Sequence, residues 1–501
     1  MALAVEIALL IVRGIALRQV ATAPVSAGSG KYPTCTLQRR EPGSSSPETA
    51  LQAMVPPLVM ANYTLPSQKY LEPTGVFRHV INGTTAAGFE PVQRLFEKQM
   101  HTLAEENAQL CIYHSGQKVV DLWYSKAYDP IFKPDSLVNV FSSGKSLEAI
   151  AIASLVGKGL LSYETRVNDV WPEYRGGGKE HTRVADVMRH EAGLANFDTA
   201  IDVDDLLPEN IKANRLGSII EKQEQHFRSP EKGRREYHAM TRGWIVNEVF
   251  RRVDPAGRTI GEYLAEEISG PLNADVVVGL NEEQLQRVSK ITPLGIGRHI
   301  LASFRPKALG RRVLHNVIQL MARLLKILLP VRKGSSMRTP PVREMRGISF
   351  FNDNRMRRGE TPSANTHASA RGLARIAAMM AAGGSLDSVN CLSTAAWQEL
   401  HNNPQPATMG GVLPTRFTQG GVDQFLPSRG SSSAFTKALN DGREGFYGWM
   451  GLGGSVFQWH PEADIGFAFV PTSLHLLDFF NERGKLFQAV ALECAKRQHA
   501  R

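Results

Sequence analysis

Apolar positions are unevenly spaced along the 501-residue chain, and their spacing changes character several times. Up to about residue 75 no period is sustained. Pro, Ser and Gly are frequent there, so 1–75 reads as a leader plus linker and 76–501 as the folded domain. A helical period then holds over 92–106. An alternating, β-type pattern follows over 109–114 and 117–124, hinged at Ser115-Gly116. Leu147, Ile150, Ala151 and Leu155 next keep an i, i+3, i+4 pattern that Gly157 and Gly159 end. The middle is helical and rich in loops, with periodic stretches at 183–190, 216–225, 239–252 and 260–268, and a further helix over 366–383. Strand patterns return only near the C-terminus, over 453–459 and 465–471, before a last helix over 479–497. Strands at both ends enclosing helices predict an α/β fold. Its antiparallel sheet is built from the N- and C-terminal strands, with a helical subdomain inserted between them.

Composition fits a globular protein, with 42% hydrophobic and 21% charged residues. Four scattered cysteines, with no CxxC and no His-rich ligand spacing, predict neither a disulfide framework nor a metal site. The net charge of +10 suggests nucleic acid until it is located. Residues 298–346 carry twelve Lys/Arg and one acid, Glu344, which leaves the rest of the chain close to neutral. A nucleic-acid role is therefore not expected. Within that insertion Val313, Leu314, Val317, Ile318, Leu320, Met321, Leu324, Leu325, Ile327 and Leu328 crowd one side of a helix, with Arg311, Arg312, Arg323 and Lys326 near it. The run is too short and too charged to span a bilayer. It either packs on the domain, or acts as a basic amphipathic element that rests on an anionic membrane or shields an acyl pocket. The first 40 residues hold five Lys/Arg and one acid, which suits a mitochondrial presequence and equally a plain extension of a cytoplasmic protein.

Three pairs place Ser and Lys three residues apart: Ser115/Lys118, Ser142/Lys145 and Ser229/Lys232. Only Ser142 opens an apolar-faced helix, where residues i and i+3 share a face and a lysine amine can reach the hydroxyl. A Ser cap beside a solvated Lys is the plain alternative. Tyr237, at a loop–helix junction, is either half-buried packing or a phenol placed to accept and pass on a proton. The Gly-dense run from Tyr447 to Ser455 enters a strand, where a backbone N–H can sit beside a bound carbonyl. It lacks the GK[ST] ending of a phosphate cradle.

Ser142-x-x-Lys145, Tyr237-His238-Ala239 and Trp449-Met450-Gly451 stand in the order found in the class C β-lactamase-like and penicillin-binding-protein-like serine hydrolases. Flanking stretches, Tyr237 to Trp244 and His460 to Val470 among them, resemble the carboxylesterase branch. The resemblance implies a cofactor-free serine hydrolase that cleaves a small-molecule ester through an acyl-serine intermediate. Ser142 would be the nucleophile, Lys145 and Tyr237 its activators, and the N–H groups of Ser142 and Leu452 the oxyanion donors. Trp449 would form a wall, and Gly451 and Asn365 would lie beside the substrate, unless Asn365 is a helix cap. His190, before a Gly-Leu turn, reads as a hydrogen-bonded structural residue. Two departures bear on substrate. Trp449 stands where β-lactamases carry a Lys that grips a carboxylate, and Ala239 stands where an amide-recognising side chain is usual. Both favour a neutral ester. An acyltransferase of the same fold, or a non-catalytic scaffolding or filament-type member, are the alternatives, and the oligomeric state cannot be read.

Overall fold

Ten strands from both halves of the chain share one sheet in the computed structural model, which describes residues 81–126, 132–227, 233–328, 341–411, 413–430 and 432–499. In chain order the strands are β1 (Ile81–Thr85), β2 (Asn107–His114), β3 (Gln117–Ser125), β4 (Arg234–Arg235), β5 (Gln405–Met409), β6 (Leu413–Phe417), β7 (Asp423–Gln424), β8 (Tyr447–Met450), β9 (Val456–His460) and β10 (Ile465–Pro471). Their spatial order is β1-β3-β2-β10-β9-β8-β7-β6-β5-β4, antiparallel throughout except for the end pair β5–β4. The join between the two halves is the β2–β10 ladder, with Ile465 opposite His114 and Pro471 opposite Ala108. The sheet drawn from both chain ends is as the hydrophobic pattern predicts.

Period-2 alternation along β2 and β10 feeds two separate cores. Leu110, Ile112, Phe467 and Phe469 pack on one face with helices α1 (Glu90–Thr102) and α7 (Glu482–His499). Cys111, Tyr113, Ala468 and Val470 pack on the other, against α6 (Ala370–Ala381) and the helical region. That region contains α2 (Lys145–Gly157), buried at every position from Lys145 to Leu155, and α3 (Thr241–Val253). Both faces are covered, so β10 is buried along its whole length and reads as a continuous apolar run.

Several boundaries differ from expectation. The helix expected over 366–383 is a strand, Thr366–Ala368, followed by α6, because Ser369 caps the helix through the Gly372 N–H. The stretch 183–190 is helical only over Val184–Met188, and His190 beyond it adopts a left-handed backbone. Strands β5 to β7 were not expected. β5 is an exposed, Pro-containing strand whose residues do not alternate in burial. The strand expected from 453 starts at Val456, and the Gly-rich run before it divides into β8 and a tight loop. Among its described residues the basic insertion contains α4 (Ile296–Ser303), a 3-10 turn at Lys307–Leu309 and α5 (Val317–Leu328). The expected leader and the Ser229/Lys232 pair lie outside the described residues.

Candidate active site

Ser142 sits in a single 3-10 turn, Phe141–Gly144, that runs straight into α2. In such a turn residues three apart are eclipsed, so Ser142 and Lys145 share a face. Phe141 enters the turn at φ 47°, a strained conformation for an aromatic residue. Asn139 Oδ1 takes its N–H at 2.7 Å, and its ring lies edge-on to Phe351 at 5.0 Å. Gly144 follows because nothing larger fits. A Cβ there would lie 2.3 Å from both the Pro362 carbonyl oxygen and Thr366 Oγ1.

The other side chains arrive from distant elements. Tyr237 lies between β4 and α3, and its hydroxyl donates to Ser142 Oγ at 2.6 Å. Trp449, on β8, donates its indole N–H to the same tyrosine oxygen at 3.3 Å. The Lys145 amine lies 5.0 Å from the centre of the Tyr237 ring and donates to the carbonyls of Ala239 (2.6 Å) and Ser363 (3.0 Å). Burial pulls that amine down to about 7, opposed by the Glu148 carboxylate and assisted by the Arg242 guanidinium. Burial pushes the Tyr237 phenol up to about 12, with its bonds to Ser142 and Trp449 pulling the other way. Near neutral pH the lysine is therefore the group able to lose its proton, and the tyrosine the group that keeps one.

Beneath Lys145 lies an ion pair that sequence reasoning missed. Arg242 Nε meets Glu148 Oε2 at 2.9 Å, with neither side chain exposed. Arg242 also donates to the carbonyls of Met188, Gly421 and Lys145, and Glu148 accepts the Ser363 hydroxyl at 2.5 Å. The signal was available, since Glu148 is one turn beyond Lys145 in an otherwise apolar helix. His190 and His238 back Tyr237. The His190 ring lies 4.9 Å from the tyrosine ring and its Nδ1 accepts the His238 N–H, while burial holds both imidazoles well below their usual range. They are neutral packing groups, in line with the structural reading of His190. Of the three Ser/Lys pairs, Ser115/Lys118 lies at a hairpin turn and its lysine pairs with Asp121 at 2.6 Å.

Asn365 corrects the expectation on both counts. It is fully buried and gives its amide to the carbonyls of Met356 and Gly359, and its oxygen accepts from Asn139. It neither lines the cleft nor caps α6, and its neighbour Ala364 takes the wall position. The cleft above Ser142 is apolar, walled by Phe197, Met240, Trp244, Phe351 and Leu452, with an enclosed volume of about 40 Å³. Among the described residues no charged side chain lines it. The backbone N–H groups of Ser142 and Leu452 have no hydrogen-bond partner among the described residues.

The sequence profile of the Beta-lactamase family matches residues 92–491. The chain belongs to the beta-lactamase family. It is thereby a serine hydrolase, with the family's antiparallel sheet and helices. It is similar to the esterase/beta-lactamase LipL of Mycobacterium tuberculosis, 28% identical over 400 residues that cover 78% of this chain and 83% of that protein. Among solved structures it resembles a penicillin-binding protein homologue from Caulobacter crescentus, at 25% identity and TM-score 0.63, covering 83% of this chain and 100% of the other. A family VIII carboxylesterase gives TM-score 0.64 at 24% identity, covering 83% and 99%. The Arg242–Glu148 pair is fully buried, so removing one partner leaves the other charge unpaired. Arg242→Met leaves a buried carboxylate without its cation and should lower unfolding stability by about 3–5 kcal/mol, measured by urea denaturation. Adding Glu148→Gln should restore part of the loss. Single and double variants that lose stability additively would mean that the two side chains are not coupled.

Proposed function

We propose that the protein hydrolyses short neutral esters through an acyl-Ser142 intermediate, with Lys145 as general base and Tyr237 as the group that delivers a proton to the leaving alkoxide. The observation that carries this reading is the 2.6 Å bond from the Tyr237 hydroxyl to Ser142 Oγ beside a buried lysine amine. Two carbonyls engage two positions on Lys145 Nζ. The neutral amine then has one lone pair left to take the Ser142 proton as Oγ attacks the acyl carbon. The tetrahedral oxyanion falls to the N–H groups of Ser142 and Leu452. As it collapses, Tyr237 gives its proton to the alkoxide and regains one from the Lys145 ammonium. A phenol held near 12 is a poor base at neutral pH and a suitable acid for an alkoxide. Water repeats the same steps to release the acid and free Ser142.

The substrate class follows from the walls. With Trp449 in the cation's place and no charged side chain lining the cleft among the described residues, a carboxylated β-lactam or D-peptide would bury its charge unpaired.

The basic insertion supports a second, separate proposal, a peripheral contact with an anionic membrane in a mitochondrial or a cytoplasmic setting. Leu301, Phe304, Leu309 and Ile318 are 67%, 61%, 72% and 76% exposed, and Met321 is exposed beside them. Arg298, Arg305, Lys307 and Arg312 are exposed among them, with no acid between residues 284 and 343. The opposite side is tied down: His315 and Arg323 both pair with Glu482, and Val313 and Leu320 are buried. No described helix is long and apolar enough to cross a membrane. Exposed apolar side chains ringed by cations suit the surface of an anionic bilayer.

Ser142→Ala should abolish p-nitrophenyl acetate turnover and labelling by a fluorophosphonate probe without lowering the melting temperature. Labelling that persists in this variant would refute the nucleophile. Because the base must be deprotonated, kcat/KM should rise about tenfold per pH unit below about 7 and level off above it. A limb that falls as pH rises through 7 would reverse the assigned roles. For the insertion, wild type should co-sediment with phosphatidylserine vesicles at low salt and be released as salt rises, while a Leu301→Asn, Phe304→Asn, Ile318→Asn variant should not bind. Equal binding by both proteins would make the segment a surface insertion only. Self-association without vesicle binding would give this face to a second copy of the chain.

A further inference from the structure

The two oxyanion donors belong to segments more than 300 residues apart in sequence, and two side chains hold those segments in register. We infer that Asn481 and Ser455 are positioning residues that aim the Leu452 N–H and fix its distance from the nucleophile. The inference rests on Ser142 being the nucleophile of the proposed reaction.

Across the trans bond between Gly451 and Leu452, the Gly451 C=O and the Leu452 N–H point in opposite directions in a common plane. The Asn481 amide donates to the Gly451 oxygen at 2.7 Å, so it pins the plane from behind and turns the Leu452 N–H away from itself. Its second donated bond goes to the Ser455 carbonyl at 2.9 Å. The same carbonyl accepts the Gly451 N–H at 2.8 Å, so the amide braces both ends of a closed five-residue loop. A donor on the carbonyl also polarises the peptide and strengthens its N–H toward an anion.

Ser455 carries the brace across to the nucleophile. Its hydroxyl donates to the Val140 carbonyl at 2.7 Å and lies 3.1 Å from Ser143 Oγ, so it touches the chain on both sides of Ser142. The contact is close enough to forbid a side chain at Gly451, where a Cβ would lie 2.1 Å from Ser455 Oγ and from the Val140 oxygen. Asn481 is itself fixed. It is 3% exposed, sits at φ 48° just ahead of α7, and is followed by Arg483, which binds the Gly453 carbonyl. Leu452 lines the cleft with Ser142, and its N–H has no other partner among the described residues.

The test compares Asn481→Asp, Asn481→Ala and Ser455→Ala with Gln488→Ala, which removes a buried bond between α7 and Gln458 without touching the loop. Substrates are a p-nitrophenyl ester and its thiono analogue, whose sulfur is a weak acceptor that gains little from aimed N–H groups. Asn481→Asp keeps the shape and loses both donated bonds. We expect kcat on the ester to fall about 10- to 100-fold in the Asn481 and Ser455 variants, with KM within about twofold. The ester-to-thionoester rate ratio should shrink, the limb near pH 7 should stay, and Ser142 should still label to completion. Gln488→Ala should lower the melting temperature and leave the ratio alone. An unchanged ratio in the Asn481 and Ser455 variants, whether or not kcat falls, would overturn the inference. Loss of the pH limb instead would mean that these residues act on Lys145. Wild-type enzyme that never labels at Ser142 would refute the underlying reaction, a separate result.

Discussion

A lysine amine held in a dry interior by two carbonyl oxygens sets the terms for everything around it. A carboxylate bonded directly to it would keep Lys145 charged and useless as a base. The nearest acid, Glu148, is instead occupied by Arg242 and the Ser363 hydroxyl, and it acts on the amine only through space. Arg242 therefore has two effects. It neutralises a buried acid, and it adds a positive field that helps the lysine shed its proton. Meeting those terms requires α2, α3 and the 361–366 loop to approach within backbone contact, which is why Gly144 cannot carry a side chain.

The sheet supplies the rigidity for this arrangement. Its central ladder brings β2 against β10, and each strand feeds one core on α1 and α7 and another on α6. Strand β8, which carries Trp449, lies two strands from that ladder and is held by β9 on one side and β7 on the other. Loops carry Tyr237 and the Gly451–Ser455 turn, but each loop is anchored at both ends by sheet or helix. The short bond between Tyr237 and Ser142 is the product of that framework, because nothing local links residues 95 positions apart.

The sequence made the fold class legible through its long periodic stretches. The Ser142–Lys145 turn stood out because the pair opens a strongly apolar helix, α2. Legibility failed where tertiary context overrides local pattern. The exposed strand β5 carries Pro406 and is defined by pairing with β6, so it has no amphipathic signal of its own. Asn365 looked like a pocket or cap residue because Asn before a helix commonly is. Only the fold reveals that its amide is used up on Met356 and Gly359. Asn481 carried no signal at all. Its meaning lies in a carbonyl 30 residues earlier in the chain.

That dependence on late residues has a consequence for biosynthesis. The Ser142 turn at 141–144 emerges early, yet the sheet's central ladder pairs positions some 350 residues apart, and the Asn481 amide that braces the Gly451–Ser455 loop follows the last strand. Contacts of such long range close late and slowly. Under the proposed reaction, a growing chain that already displays Ser142 and Lys145 would lack its aimed Leu452 N–H until residues beyond Asn481 have been made.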